Sequence, residues 1–273
     1  MLLFFAGAEG DDFVKILRDN GVTNALESFW SLKMKNPCHH HIFENHLLDS
    51  GGFAARQRGV EVDVVKYAEY IKKYDVKFAF NLDVRNLDTS LANQRYLEKN
   101  TNAYIIPIYH GPEWVNEDTR DLLEYYIEFY PYIGLGGIAG KETGKQNLER
   151  FLNYVFKRTR DKTMVHGLGV TSKRMLYNYP FATCDSTSWL AVSQYGRSAV
   201  YSENMSRVRN KRLNWKERIF DDVVFYKNLN DEITRVWQKR GVNWGDKLDY
   251  EKLISMRKEA PSYREWKEKR NAK

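Results

Sequence analysis

Short apolar runs alternate with segments of helical periodicity over most of this chain, and that alternation restricts its fold more than any other feature. The apolar runs are Leu2–Gly7, Ala25–Leu32, Leu47–Asp49, Val76–Asp83, Ala103–Tyr109, Tyr132–Gly137, Thr163–Val170 and Phe181–Leu190. Between them Asp12–Asn20, Val62–Tyr74, Thr89–Lys99, Glu117–Phe129, Asn147–Arg158 and Ser172–Tyr177 space their apolar residues as helices do. Within Val62–Tyr74 the expected core positions are Val65, Ala68, Tyr70 and Ile71. Val76–Asp83 is almost continuously apolar, as a strand of a parallel sheet covered on both faces must be. Strand–helix alternation of this kind predicts parallel strands joined by crossover helices. Seven or eight strands in 273 residues suit a closed α/β barrel of the (β/α)8 type better than an open sheet.

The barrel is expected to occupy residues 1–202, with a basic, helical C-terminal extension over 203–273 packed on it. Its long helix, Arg218–Arg240, would bury Ile219, Val223, Val224, Leu229, Ile233 and Val236. The net charge is +7, which favours a polyanionic partner without choosing among DNA, RNA and a membrane surface. Arg207, Arg209, Lys211, Arg212 and Lys216, with Trp215 among them, are the expected phosphate-backbone track; the alternative is a solvated linker and helix surface. Binding through such a track falls steeply with salt.

Several classes are set aside. Two cysteines, Cys38 and Cys184, make neither a disulfide framework nor a Cys₃His or Cys₄ zinc site. The start, Met1–Gly7, lacks a basic n-region and runs into Glu9, Asp11 and Asp12, so it reads as a buried strand and not a signal peptide. No segment has the length of a membrane span. The protein is expected to work in the cytoplasm. The glycines around Gly134–Gly140 lack the spacing and the later acid of a dinucleotide site. The run His39-His40-His41, with His46 following, invites a metal reading. It is set aside because neighbouring side chains on an extended segment point to opposite faces and no acidic pair accompanies them. A loop near the rim of the active site is expected instead, with no metal and no cofactor.

The strand ends carry the chemistry. In a parallel barrel they meet in one cavity, which would gather Asp49, Asp83, His110, the Gly136–Gly140 turn, His166 and Asp185. Any one of these aspartates alone reads as a cap or turn residue. Three together would repel one another and separate their pKa values, which suits a nucleophile, a proton carrier and a hydrogen-bonding recogniser. The matching chemistry is displacement at a sugar anomeric carbon. A sugar hydrolase is the weaker variant, since glutamates are missing from the strand ends and Ser50-Gly51-Gly52 suits a flat ligand.

The order Asp49-Ser50-Gly51-Gly52-Phe53, then Asp83, then Gly136-Gly137-Ile138-Ala139, then His166 through Val170, then Asp185 resembles the tRNA-guanine transglycosylase superfamily. The resemblance spans about half the chain, Leu47 to Trp189. It implies a TIM-type barrel that exchanges guanine for a 7-deazaguanine without cutting the backbone. By position, it makes Asp185 the nucleophile on C1′ and Asp49 the general acid and base. Asp83 would read the N1–H and exocyclic amine of the base. Ser50, Gly51, His110, Gly136, Gly137, Ile138 and His166 would line the base site, and Phe53, Tyr109 or Met164 would stack on the ring. The chain departs from the family at Ala54 and His110, where glutamines are usual. It also departs at Ser186-Thr187-Ser188-Trp189, where Pro-Thr-Arg is usual, and in lacking the Cys/His zinc subdomain. Those departures point to the DpdA-type DNA 7-deazaguanine transglycosylases of phages and bacteria. The partners so implied are DNA with a flipped-out guanine and a free preQ0-like base. RNA base exchange and a non-catalytic nucleic-acid-binding barrel are the alternatives; the oligomeric state is left open.

Overall fold

A computed structural model describes residues 1–84, 86–111, 117–138, 145–191 and 215–272. Nine strands form one parallel sheet: β1 (Leu2–Ala6), β2 (Asn24–Ser28), β3 (Asn45–Asp49), β4 (Phe78–Phe80), β5 (Tyr104–Ile106), β6 (Ile108–His110), β7 (Tyr132–Gly136), β8 (Met164–Gly167) and β9 (Thr183–Ser186). Their order is β5-β4-β3-β2-β1-β9-β8-β7-β6. The two ends of that order, β5 and β6, are neighbours in the chain, separated by Pro107. Proline has no N–H to give a ladder, which is why the run expected as one strand divides there. Its carbonyl still accepts from Gly134 N at 2.8 Å, and Ile106 O accepts from Asn81 N at 3.0 Å. The sheet therefore curls into a nearly closed barrel.

Alternation along each strand sorts side chains into two layers. Leu2, Phe4, Leu26, Leu47, Phe78, Phe80, Tyr104, Ile106, Ile108 and Tyr132 form the inner cluster. Their sequence neighbours Leu3, Phe5, Ala25, Tyr109, Ile133, Leu135, Val165 and Cys184 face outward, into the helical layer. The helices are α1 (Asp11–Asp19), α2 (Gly52–Gln57), α3 (Val64–Lys73), α4 (Leu87–Asn100), α5 (Glu117–Phe129), α6 (Lys145–Thr159), α7 (Lys173–Asn178), α8 (Trp215–Lys239), α9 (Tyr250–Met256) and α10 (Tyr263–Asn271). Asp63 caps α3, accepting from Val65 N at 2.8 Å, and Ser262 and Glu265 form a capping box on α10.

Several expectations need correction. The second strand stops at Ser28: Phe29 N donates to Asp49 O, and the chain then coils, Leu32 N returning to Ser28 O, both at 2.8 Å. Residues 29–44 contain no α-helix, so β2 and β3 are joined by turns. In α3 the buried residues are Tyr67, Ala68, Tyr70 and Ile71, while Val65 is exposed. Val65 lies off the stripe that runs through positions 64, 67, 68 and 71. In α8, Ile219, Val223, Tyr226, Leu229, Ile233 and Trp237 form the buried stripe and Val224 is exposed.

Helix α8 packs beside β1: Asn230 Oδ1 accepts from Leu3 N at 2.9 Å, and Trp237 Nε1 donates to Leu176 O at 2.8 Å. The segment leading into α9 plugs the N-terminal end of the barrel. There Leu248 and Leu253 join the inner cluster, and Asn45 Oδ1 accepts from Leu248 N at 2.7 Å. The opposite end, where the strands finish, carries the polar residues. Arg207, Arg209, Lys211 and Arg212 lie outside the described residues, and Lys216 falls in the first turn of α8. No described helix is long and apolar enough to cross a membrane.

If the α8 stripe is the cement of this wall, Ile233→Ala should cost about 2–5 kcal/mol of unfolding free energy. Val224→Ala, nine residues earlier on the same helix but outward-facing, should stay within about 0.5 kcal/mol. Urea denaturation of both variants checks the pair; equal losses would contradict the assigned face.

Candidate functional site

The parity that puts Leu47 inside the barrel puts Asp49 inside as well, at the last residue of β3. The same rule turns Thr183 and Asp185 inward on β9, His166 on β8, Gly136 on β7 and His110 on β6. Register aligns them across the sheet, Ser28 beside Asp49, Phe4 beside Asp185 and His166 beside Thr183.

Asp185 is 8% exposed, and its Oδ1 accepts twice, from His166 Nε2 and from Gly169 N, each at 3.0 Å. His166 is fully buried, its ring 4.8 Å from that of Phe80. Its other nitrogen, Nδ1, lies 2.7 Å from Thr183 Oγ1, which is 2.6 Å from the Tyr132 hydroxyl. One proton arrangement satisfies the whole chain: Tyr132 donates to Thr183, Thr183 to His166 Nδ1, and His166 Nε2–H to Asp185. Tyr132 and Thr183 were not singled out from the sequence. The signal was there, since both lie on the inward parity of strands already recognised.

Asp49 accepts from Gly51 N at 2.9 Å through Oδ2. Gly51 sits in the left-handed region at φ +72°, and a side chain there would meet Trp30 Cβ at 2.4 Å and Ser28 Oγ at 2.5 Å. Glycine is thus required both for the turn and for the close approach. Ser50 is buried and its Oγ accepts from Gly52 N at 3.3 Å. Burial pushes the Asp49 carboxyl up to about 7; the charge of Asp83 and then that of Asp185 add to the rise, against the Gly51 N–H. All three aspartates lie at the C-terminal side of the barrel, near enough for the charges of Asp83 and Asp185 to act on Asp49.

Asp83 lies beyond the end of β4, in a loop and not on the strand. The loop is gripped from two helices. Arg56 Nη1 of α2 donates to Asp83 O at 2.8 Å, and Asn93 Nδ2 of α4 donates to Leu82 O at 2.8 Å. Ser90 Oγ closes the grip by accepting from Val84 N at 2.8 Å and donating to Val84 O at 2.9 Å. His110 Nε2 stands 2.7 Å from Asp83 Oδ2. Its ring packs on Gly136, where a Cβ would come within 3.2 Å of it. Below the two acids the buried Tyr67 hydroxyl is shared by Leu48 O at 3.1 Å and Phe80 O at 3.0 Å, tying β3 to β4.

Not every expected residue reaches the pocket with its side chain. Ile138 is buried in the helical layer, so only its backbone can face a ligand; Gly137 takes φ +67°. Ala139 and Gly140 lie outside the described residues. Of the three stacking residues, Tyr109 faces outward and stacks on Phe151 at 5.8 Å. Met164 begins β8 and packs at the plugged end. Both positions follow from strand parity and direction, and both exclude stacking at the mouth. Phe53, on α2, is 69% exposed and remains beside Gly51. Ser186-Thr187-Ser188 forms a local turn, Ser186 Oγ accepting from Ser188 N at 3.0 Å. Trp189 anchors that turn by donating to Ala6 O at 2.8 Å.

The His39–His41 run is on the outer wall, not at the rim. Glu27, outward on β2, is fully buried and takes His39 Nδ1 at 2.7 Å on Oε1 and His46 Nε2 at 2.9 Å on Oε2. The acid missing from the local sequence is supplied by the neighbouring strand. Burial works against the Glu27 charge, but bonds from His46 and His39 outweigh it and hold the carboxyl below its usual range.

These features define an α/β-barrel protein with three aspartates at the C-terminal ends of its strands. No family model matches the chain. The chain is similar to Uncharacterized protein 306 of Sulfolobus islandicus rod-shaped virus 1, 23% identical over 163 residues. The match covers 57% of this chain and 51% of the viral protein, so the chain spans about half the length of that relative.

The raised Asp49 pKa has a stability consequence. Folding lifts it above its unfolded value, so the folded state holds the extra proton between about pH 4 and 7. Stability from this site is present at low pH and is lost as pH rises through about 7. Asp49→Asn should therefore gain stability over the native chain progressively from about pH 4 to 7 and hold a constant advantage above. Urea denaturation at pH 5, 6 and 8 measures it; an advantage that grows as pH falls would contradict the assignment.

Proposed function

We propose that this chain is a transglycosylase of the (β/α)8-barrel type, β5 and β6 counting as one interrupted strand, which exchanges guanine in DNA for a 7-deazaguanine base. What supports the reading is that Asp49 on β3 and Asp185 on β9 both face inward at the C-terminal side of the barrel, with Asp83 just beyond β4, and that the charges of Asp83 and Asp185 add to the burial that raises the Asp49 carboxyl.

Asp185 is the nucleophile. Among the described residues both donors to Asp185 are on Oδ1, so Oδ2 attacks C1′. The C1′–N9 bond breaks and its electron pair leaves with the base, which takes a proton from Asp49. A carboxyl with a pKa of about 7 is matched to donating that proton and to recovering one later. The incoming base gives its N9 proton to Asp49, attacks C1′ and expels Asp185, and the enzyme returns to its starting state.

Asp83 reads the N1–H and amine edge. Each carboxylate oxygen has two lone pairs, so His110 at 2.7 Å from Oδ2 leaves room for a two-pronged contact. His166 is a positioning residue, held by Thr183 and aiming Asp185. The exposed Phe53 ring offers a surface for the flat base. A guanine in a duplex is out of reach of such a mouth, so it is flipped out, and phosphate contacts from Arg207–Lys216 offset the lost stacking. The similarity to a viral protein agrees with a phage setting.

Incubating the protein with labelled 7-deazaguanine and either duplex DNA or tRNA tests this directly. Label should enter DNA, and Asp185→Ala should reduce the rate on the order of 10³-fold or more. Incorporation into tRNA alone would move the reading to RNA. Exchange undiminished in Asp185→Ala would remove Asp185 as nucleophile.

A further inference from the structure

The second ionisable cluster, between β2 and β3, faces away from the pocket and takes no part in the reaction proposed there. The Glu27 carboxylate, Cys38 Sγ and His46 offer ligand atoms that all lie within 4.8 Å of one another. All three side chains are buried, at 0%, 2% and 8% exposure. His40 Nδ1 is 3.4 Å from Cys38 Sγ. His39 holds the carboxylate from behind, through its backbone N–H on Oε2 and its ring Nδ1 on Oε1, both at 2.7 Å.

We propose that Glu27, Cys38 and His46, completed by His40, form a zinc site that fastens the turn-built β2–β3 crossover to the barrel wall. Thiolate, imidazole and carboxylate are the donors zinc takes, and a sulfur donor argues against magnesium or calcium. Ligand atoms about 2.0–2.3 Å from a tetrahedral ion stand about 3.3–3.8 Å apart, so the donors of Glu27, Cys38 and His46 need to shift by only about 1 Å. On binding, the hydrogen bond between His46 and Glu27 breaks and His46 takes the tautomer with its proton on Nδ1, freeing Nε2; the Cys38 thiol gives its proton to solvent, and a thiolate–metal bond forms. Burial pushes that thiol up to about 11, so without a metal it stays protonated. His39 is the residue that orients a ligand from behind, the role a metal site's outer hydrogen bonds commonly serve.

The location gives the site its purpose. Every other passage between consecutive strands that flank a turn of this length uses an α-helix to cover the sheet, whereas residues 29–44 have none. A metal would supply the fixed points that a helix's own hydrogen bonds would otherwise provide.

The test is a titration of the full-length, metal-stripped protein with Co²⁺, followed by competition with Zn²⁺. The expected result is tetrahedral cobalt absorption with a thiolate charge-transfer band, saturating at one equivalent and erased by one equivalent of zinc. Cys38→Ser should lose the thiolate band, His46→Ala should lose one-equivalent saturation, and His39→Ala should bind roughly 10–100-fold more weakly. Zinc should raise the melting temperature of the native chain and leave that of Cys38→Ser unchanged. The native chain's own spectrum decides the matter even where a variant fails to fold. No cobalt absorption at one equivalent, or a thiolate band that survives Cys38→Ser, would overturn the proposal.

Discussion

Holding three carboxylates against one another is the constraint that the rest of the barrel mouth serves. Burial raises the Asp49 carboxyl, and the charges of Asp83 and Asp185 add to the rise. The surrounding structure is arranged against that repulsion. Asp185 receives two donors on one oxygen, Asp49 receives the Gly51 N–H, and Asp83 has His110 at 2.7 Å. None of these partners is a long side chain. Two are backbone amides, and the histidines are packed against Phe80 and Gly136. The pocket is therefore built as a rigid acceptor array, the form that preorganised electrostatics requires.

That rigidity is transmitted from the scaffold. Tyr67 ties β3 to β4 directly beneath Asp49, and α2 and α4 clamp the loop that carries Asp83. At the other end of the barrel, Leu248 and Leu253 fill the space where the strands begin. One end is closed by apolar packing and the other is polar, so the protein has a single face at which the strand-end acids gather.

Much of this was legible in the sequence, for a definite reason. Strand parity and direction are properties of the chain itself, so Asp49, His110, His166 and Asp185 could be assigned to one mouth from the apolar runs preceding them. Legibility failed where a residue's place depends on partners remote in sequence. The almost continuously apolar run Val76–Asp83 places Asp83 at a strand end, yet hydrogen bonds with Arg56, Ser90 and Asn93 draw that end into a loop. Tyr109 and Met164 looked like stacking residues by proximity to motifs, but one points outward and the other sits at the plugged end. The histidine run lacked an acid only in its own neighbourhood; strand pairing brings Glu27 to it. The basic stretch 207–212 lies outside the described residues, and its part in binding rests on its composition.

The central claim is that Asp185 bonds to a sugar carbon while the base departs. Incubating the native chain with duplex DNA and no incoming base, followed by acid quench and peptide mass spectrometry, measures it directly. The account predicts a nucleotide-derived mass on the peptide that contains Asp185, absent from Asp185→Ala. Adduct on another residue, or base release from DNA with no adduct in the native chain, would contradict it.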